Sequence, residues 1–196
     1  MRGRLSRSIV ADAALEAART NGIERVTLRH VAASLGVVPT ALYGHVADRD
    51  DLYRAIAQAA YGRLAAAMSQ AATGEDDPVE RVRKIVRAYC VFGSEDRVRF
   101  RIMTRFRPQL TPTWTDDQLP AGNAAYEVVA SAVSDAIQSG RFINVDAGLA
   151  ALAMLATARG TTTFALVDDE DRGDDPEVAF AVLDTVIDAF AQREFS

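Results

Sequence analysis

Residues 26–52 read VTLRHVAASLGVVPTALYGHVADRDDL, and the fold turns on this stretch. It predicts two short helices joined by a tight turn. Thr27 can cap the first, because its hydroxyl can accept a backbone N–H from the opening turn. Val26 and Val31 are placed for a hydrophobic staple across that cap. Leu28, Val31, Ala32 and Leu35 fall at i, i+3, i+4 and i+7, one apolar face. Gly36 then stands where a helix usually ends in a left-handed residue. Pro39 restarts the chain, since proline tolerates the first helical position.

On a helical wheel the second helix has Leu42 at zero and Val46 at about 40°, the buried side. Thr40, Ala41 and Gly44 fall opposite, with Tyr43 and His45 on the flanks. Small outward residues between hydrogen-bonding flanks suit insertion into a DNA major groove. An ordinary helical hairpin would satisfy the same spacing.

The wording LGVVPTALYGHVADRDDL resembles the helix-turn-helix of the TetR family of bacterial transcription regulators. Thr27, Arg29, Ala32, Gly36-Val37, Leu42-Tyr43, His45-Val46, Arg49 and Leu52 carry the resemblance, which covers roughly the first quarter of the chain. It implies that Arg29 and Arg49 contact phosphates, with Thr27 near the DNA backbone. Tyr43 and His45 are likewise implied at phosphates, and Pro39, Thr40, Ala41 and Gly44 at the bases. Gly44 departs from the family pattern, in which many members carry a larger side chain.

Outward from this stretch, everything reads as helix. A helix from Ser8 to Asn21 carries an apolar stripe of Ile9/Val10, Ala13/Ala14 and Ala17/Ala18, and Gly22 ends it. Arg2, Arg4 and Arg7 form an arm that suits phosphates or a minor groove, or equally a frayed terminus. Asp48 is placed to cap a long helix whose stripe runs from Leu52 to Met68. Asp77 and Pro78 open another, with Glu80 positioned for a capping box. Arg97 to Arg107 alternates like a strand, but no partner strand exists elsewhere, so helix is expected. Its five arginines (97, 99, 101, 105, 107) suit a solvated face or an anionic effector. Pro108 to Pro120 holds three prolines and reads as a loop. Helices from Asn123 to Ser139, Asp146 to Val167 and Pro176 onward complete the chain, with an acidic loop from Asp168 to Asp175. The expected fold is all-α with about nine helices. Residues 1–54 form a three-helix helix-turn-helix domain, and residues 55–196 an effector and dimerisation domain.

Charge supports that division. The net charge is −5 over 196 residues. Residues 1–54 hold eight arginines against six acids, a balance of +2, and the remainder carries −7. A basic module on an acidic body orients toward DNA. Cys90 is the only cysteine, so no internal disulfide forms and a reducing cytoplasm fits. The start, MRGRLSRSIV, lacks the apolar region of a secretory signal, and no apolar run approaches a membrane span.

The rival classes lack positive features. Both histidines, His30 and His45, lie in the helix-turn-helix. No cysteine–histidine metal spacing and no glycine-rich phosphate loop occurs, so no enzyme, metal or cofactor is expected. A helical protein-binding adaptor remains an alternative, as does a DNA-binding regulator without an effector. The expected partners are a double-stranded operator, a second copy of the chain and a small-molecule effector. The resemblance implies that the last two helices pair with those of a second copy. Their small residues suit that contact, or burial within one subunit. Ala153 and Leu183 are expected at the interface. The effector is expected beside the long helix, among Phe92, Phe100, Met103, Phe106, Trp114, Tyr126 and Met154, with Thr157, Arg159 and Thr161 as polar groups. Each of those aromatics would serve equally as plain core.

Overall fold

The computed structural model describes residues 5–105, 120–167 and 177–192. They form eight α-helices: α1 (Arg7–Asn21), α2 (Leu28–Ser34), α3 (Arg49–Ala71), α4 (Pro78–Glu95), α5 (Arg97–Arg105), α6 (Pro120–Gln138), α7 (Ala147–Val167) and α8 (Glu177–Phe190). Two 3₁₀ segments, Ile23–Arg25 and Pro39–Leu42, lie between the first helices. The recognition segment is thus a 3₁₀ turn continued by the His45 N to Leu42 O bond, 2.8 Å, rather than an α-helix. Proline at its start and Gly44 near its end leave too few residues for a full α-helical turn ladder.

The caps follow sequence chemistry. Thr27 accepts from His30 N at 3.2 Å, Asp48 from Asp51 N at 2.7 Å, and Asp77 from both Val79 N and Glu80 N. Gly22 (φ 85°) and Gly36 (φ 66°) take the conformation that side-chain-bearing residues rarely adopt. Two details differ. The capping box at Asp77 does not form: Glu80 pairs with Arg83, and Glu75 Oε1 accepts from Asp77 N instead. The buried stripe of α1 is Val10, Ala11, Ala14, Leu15 and Ala18, with Ile9 outward. An alanine-rich helix offers two neighbouring faces of similar hydrophobicity, and Leu15 decides between them.

Two apolar clusters organise the chain. One gathers Val10, Ala14, Val26, Val31, Leu42, Val46, Leu52 and Ile56 around α1, α2 and the start of α3. The other joins α3 to α8 through residues such as Leu64, Met68, Val82, Phe100, Val129, Met154, Leu183 and Ile187. The 23-residue α3 feeds both, with Leu52 and Ile56 in the first and Tyr61, Leu64 and Met68 in the second. Helix α5 is divided in the same way: Ile102 packs into the first cluster, Phe100 and Met103 into the second. Arg19 of α1 grips Asp96, whose other oxygen caps α5 through Arg99 N at 2.9 Å. Helix α8 is held by Arg83 on Asp184 and Asp188, and by Arg87 on Asp184. Leu183 is fully buried in its own subunit, so it is core and not part of an interface. Cys90 is core as well, its thiol 3.8 Å from the Ala158 carbonyl. No helix among the described residues is long and apolar enough to cross a membrane.

Candidate nucleic-acid interface

Leu42 and Val46 are both buried, and they fix which way the recognition segment faces. Pro39, Thr40, Ala41, Tyr43 and Gly44 are all exposed, and His45 is half-buried. Val38, fully outward beside them, extends the same surface with an isopropyl group. The sequence holds the signal for it: of the adjacent Val37 and Val38, only one can turn into the core. Gly44 has no positive φ, and a Cβ built on it would meet nothing within 4 Å. The fold therefore does not require glycine at this position. A close approach by something outside the chain would.

A network beneath this surface holds it rigid. Arg7 donates to the His45 carbonyl at 2.6 Å and forms a two-pronged pair with Asp51. Asp51 also accepts from Ala47 N at 2.9 Å. Arg7 is thereby a strut within α1 rather than part of an arm; Arg2 and Arg4 lie outside the described residues. The hydrogen bond from Arg7 is the main influence on Asp51 and holds its carboxyl below the usual range.

Arg49 is partly committed inward. Its Nη2 donates to Glu24 O at 2.7 Å and to Tyr53 Oη at 3.0 Å, and its Nε reaches the same hydroxyl at 3.1 Å. Tyr53 Oη donates in turn to Ile23 O, 2.5 Å. Among the described residues, Nη1 of Arg49 has no hydrogen-bond partner. Arg29 is exposed, with no hydrogen bond or ion pair among the described residues. The Thr27 hydroxyl accepts its capping bond, which leaves its own proton free to donate. Two cations with free N–H groups, one hydroxyl donor and a phenol therefore border a surface of small side chains. Such donors match phosphate oxygens, and the small groups match base edges and thymine methyls.

The residues expected around an effector divide three ways. Phe92, Phe100, Met103 and Met154 are buried in the body cluster. Tyr126, Thr157, Arg159 and Thr161 are half-buried, but the two threonine hydroxyls donate to Ala153 O and Thr157 O of their own helix. Phe106 and Trp114, like residues 106–119 and 168–176 as a whole, lie outside the described residues. An open groove of about 390 Å³ runs along α3 and α4, lined by Ala67, Ala71, Lys84, Arg87, Ala88, Val91, Phe92 and Glu95. A smaller cavity of about 100 Å³ lies at the junction with α5, beside Ile23, Tyr53 and Arg105.

Comparison with known families matches residues 10–56 to the bacterial regulatory proteins of the tetR family. Residues 75–163 match the tetracyclin repressor-like C-terminal domain. No curated protein matches the chain. Among solved structures, a protein of unknown function from Rhodococcus sp. RHA1 superposes with a TM-score of 0.78 at 27% identity, covering 97% of this chain and 98% of its own. A tetR-family regulatory protein from Rhodococcus RHA1 gives 0.70 at 19% identity, covering 96% and 98%. SmeT, the repressor of the Stenotrophomonas maltophilia multidrug efflux pump SmeDEF, gives 0.71 at 22% identity, covering 99% and 94%. With both the helix-turn-helix and the helical body matched to that one family, the chain belongs to the TetR family of bacterial transcriptional regulators.

Proposed function

We propose that the protein is a dimeric, ligand-responsive repressor that binds a palindromic operator through residues 1–54. The observation that carries this reading is the exposed row Pro39, Thr40, Ala41, Tyr43 and Gly44, held outward by buried Leu42 and Val46. Arg29, the Nη1 of Arg49 and the Thr27 hydroxyl serve as phosphate donors around it, with Tyr43 and His45 beside them. Thr40, Ala41, Gly44 and Pro39 meet the bases.

Dimerisation through residues of the 55–196 body is supported by one face of α7 and one of α8. Leu149 and Phe164 of α7 are 68% and 69% exposed, and Val178 of α8 is 70% exposed. On α7, exposed Ala153, Ala156 and Gly160 fill the same face between Leu149 and Phe164. Large apolar groups this exposed mark a contact surface, and the small residues between them let a second helix approach closely. A twofold dimer places its recognition segments about one DNA turn, ~34 Å, apart. Repression follows from a dimer that covers a promoter, and response to a ligand from a site in the body. A ligand acts only through its difference in affinity for two arrangements of the DNA units, and α3 and α5, which enter both clusters, connect them.

Footprinting of the DNA upstream of the protein's own gene tests this reading. Protection of two symmetric half-sites, lost on removing the dimer face, is the expected result. Uniform protection without sequence boundaries would contradict it.

A further inference from the structure

Tyr53 stands one turn after Arg49 on α3, and only 2% of it is exposed. It is therefore out of reach of DNA. Its hydroxyl is nonetheless fully engaged. It donates to Ile23 O at 2.5 Å, and it accepts from Arg49 Nη2 at 3.0 Å and from Arg49 Nε at 3.1 Å. The Glu24 carbonyl accepts a further bond from Nη2, at 2.7 Å. Two of the three guanidinium nitrogens are thus tied to the protein, and both meet the same phenol. The ring that carries this phenol is itself held. It belongs to the cluster of Ile56 and Ile102, and Arg105 of α5 places its guanidinium carbon 5.7 Å from the ring centre.

A guanidinium is planar, so anchoring two nitrogens sets the direction of the third. Here the third is Nη1, on a side chain that is still 44% exposed. Arg49 opens α3 directly after the recognition segment and its cap Asp48. An arginine on a bare surface samples many rotamers and gives up that freedom when it meets a phosphate. At Arg49 the freedom is already lost in the protein alone. The anchors are also of a particular kind: a phenol and a main-chain carbonyl, both neutral. The Glu24 carboxylate lies 3.8 Å from Nη2 and is 83% exposed, a contact that water and salt screen. The guanidinium is thus oriented while its charge stays available to an anion.

We propose that Tyr53 is the positioning residue for the phosphate contact of Arg49. It aims the guanidinium from beneath the DNA surface and so strengthens binding to duplexes of any sequence. The proposal deepens the operator-binding reading above and rests on it for Arg49 as a phosphate donor.

The test measures binding of the full chain to a mixed-sequence DNA duplex, because phosphate contacts are blind to sequence. Tyr53→Phe keeps the ring, and Ile23 O keeps Val26 N as a donor at 3.3 Å, so the variant is expected to fold. It should bind about two- to tenfold more weakly, the cost of ordering one long side chain on binding. In the Arg49→Ala background the same change should have no effect on affinity, since no guanidinium remains to be aimed. Arg49→Lys supplies a second readout with Tyr53 intact. Lysine keeps the charge but cannot be held by two nitrogens, so it should lose affinity to a similar extent. Circular dichroism and thermal melts accompany each variant. A phenol with a structural role alone would lower the Tm and weaken binding equally in both backgrounds, and that result would overturn the proposal. So would unchanged affinity in Tyr53→Phe, or lysine binding as tightly as arginine. Unchanged affinity and salt dependence in Arg49→Ala would remove the phosphate contact itself, and the proposal with it.

Discussion

Arg7 at the start of α1 and Asp51 in the first turn of α3, 44 residues apart, form a two-pronged ion pair that closes around the recognition turn. Arg7 holds the His45 carbonyl from one side, and Asp51 holds the Ala47 amide from the other. The surface proposed to meet DNA is thus preorganised by groups that do not lie on it.

Breaking that clamp should loosen the DNA unit. Asp51→Ala is expected to cost about 1–2 kcal/mol, the range for hydrogen bonds to a charged group at a partly exposed site. The sign with pH follows from the lowered carboxyl of Asp51, caused first by the Arg7 hydrogen bond. Its contribution is complete above the unfolded value of about 3.9 and is lost as pH falls through the lower native value. Thermal unfolding of wild type and variant should therefore differ most at neutral pH and converge in strong acid. A gap that widens on acidification would contradict the assignment.

The two arginines at the DNA face should behave differently. Arg29 has no partner among the described residues, so Arg29→Ala should weaken binding to all sequences, flatten the salt dependence by about one charge and leave the Tm unchanged. Arg49→Ala removes bonds to Glu24 O and Tyr53 Oη as well, so it should also lower the Tm. Binding measured over a range of salt, beside thermal melts, separates the two. Identical behaviour would mean that the Arg49 contacts carry no stability.

Two glycines give a paired control. Gly36 has φ 66°, so Gly36→Ala should destabilise by about 1–2 kcal/mol. Gly44 has free space and no positive φ, so Gly44→Ala should leave the Tm unchanged yet weaken operator binding. Calorimetry and a binding titration on both variants decide it. Full operator affinity in Gly44→Ala would mean that no base or phosphate comes close at that position.

Interface and core are separable on the last two helices. Phe164→Arg or Val178→Asp should yield folded monomers that bind DNA weakly, because both side chains are exposed in the single chain. Leu183→Arg should instead fail to fold, since it buries an unpaired charge. Sedimentation with circular dichroism reads both. A dimeric Phe164→Arg would move the interface elsewhere.

What could be read from the sequence was local. Thr27, Asp48 and Asp77 cap helices because their short polar side chains reach the first turn, a property of adjacent residues alone. Gly22 and Gly36 end helices for the same kind of reason, and the spacing of Leu42 and Val46 already fixed the outward row. What could not be read depends on distant partners. Nothing near Arg7 indicates that Asp51 will meet it, and nothing near Arg49 points to Tyr53 or Glu24. Leu183 reads equally well as core or interface until α4 and α7 are packed against α8. The 3₁₀ form of the recognition segment was hidden because a helical wheel assumes about 100° per residue throughout, whatever the local winding.

Sequence-specific recognition by the row from Pro39 to Gly44 is tested most directly by selecting random-sequence duplexes on the full-length protein at ~0.15 M salt. Selection should enrich one palindrome with half-sites about 10 base pairs apart, centre to centre. A folded Thr40→Asp dimer should fail to retain it. Recovery of no sequence above non-specific binding, or of the same palindrome by Thr40→Asp, would contradict it.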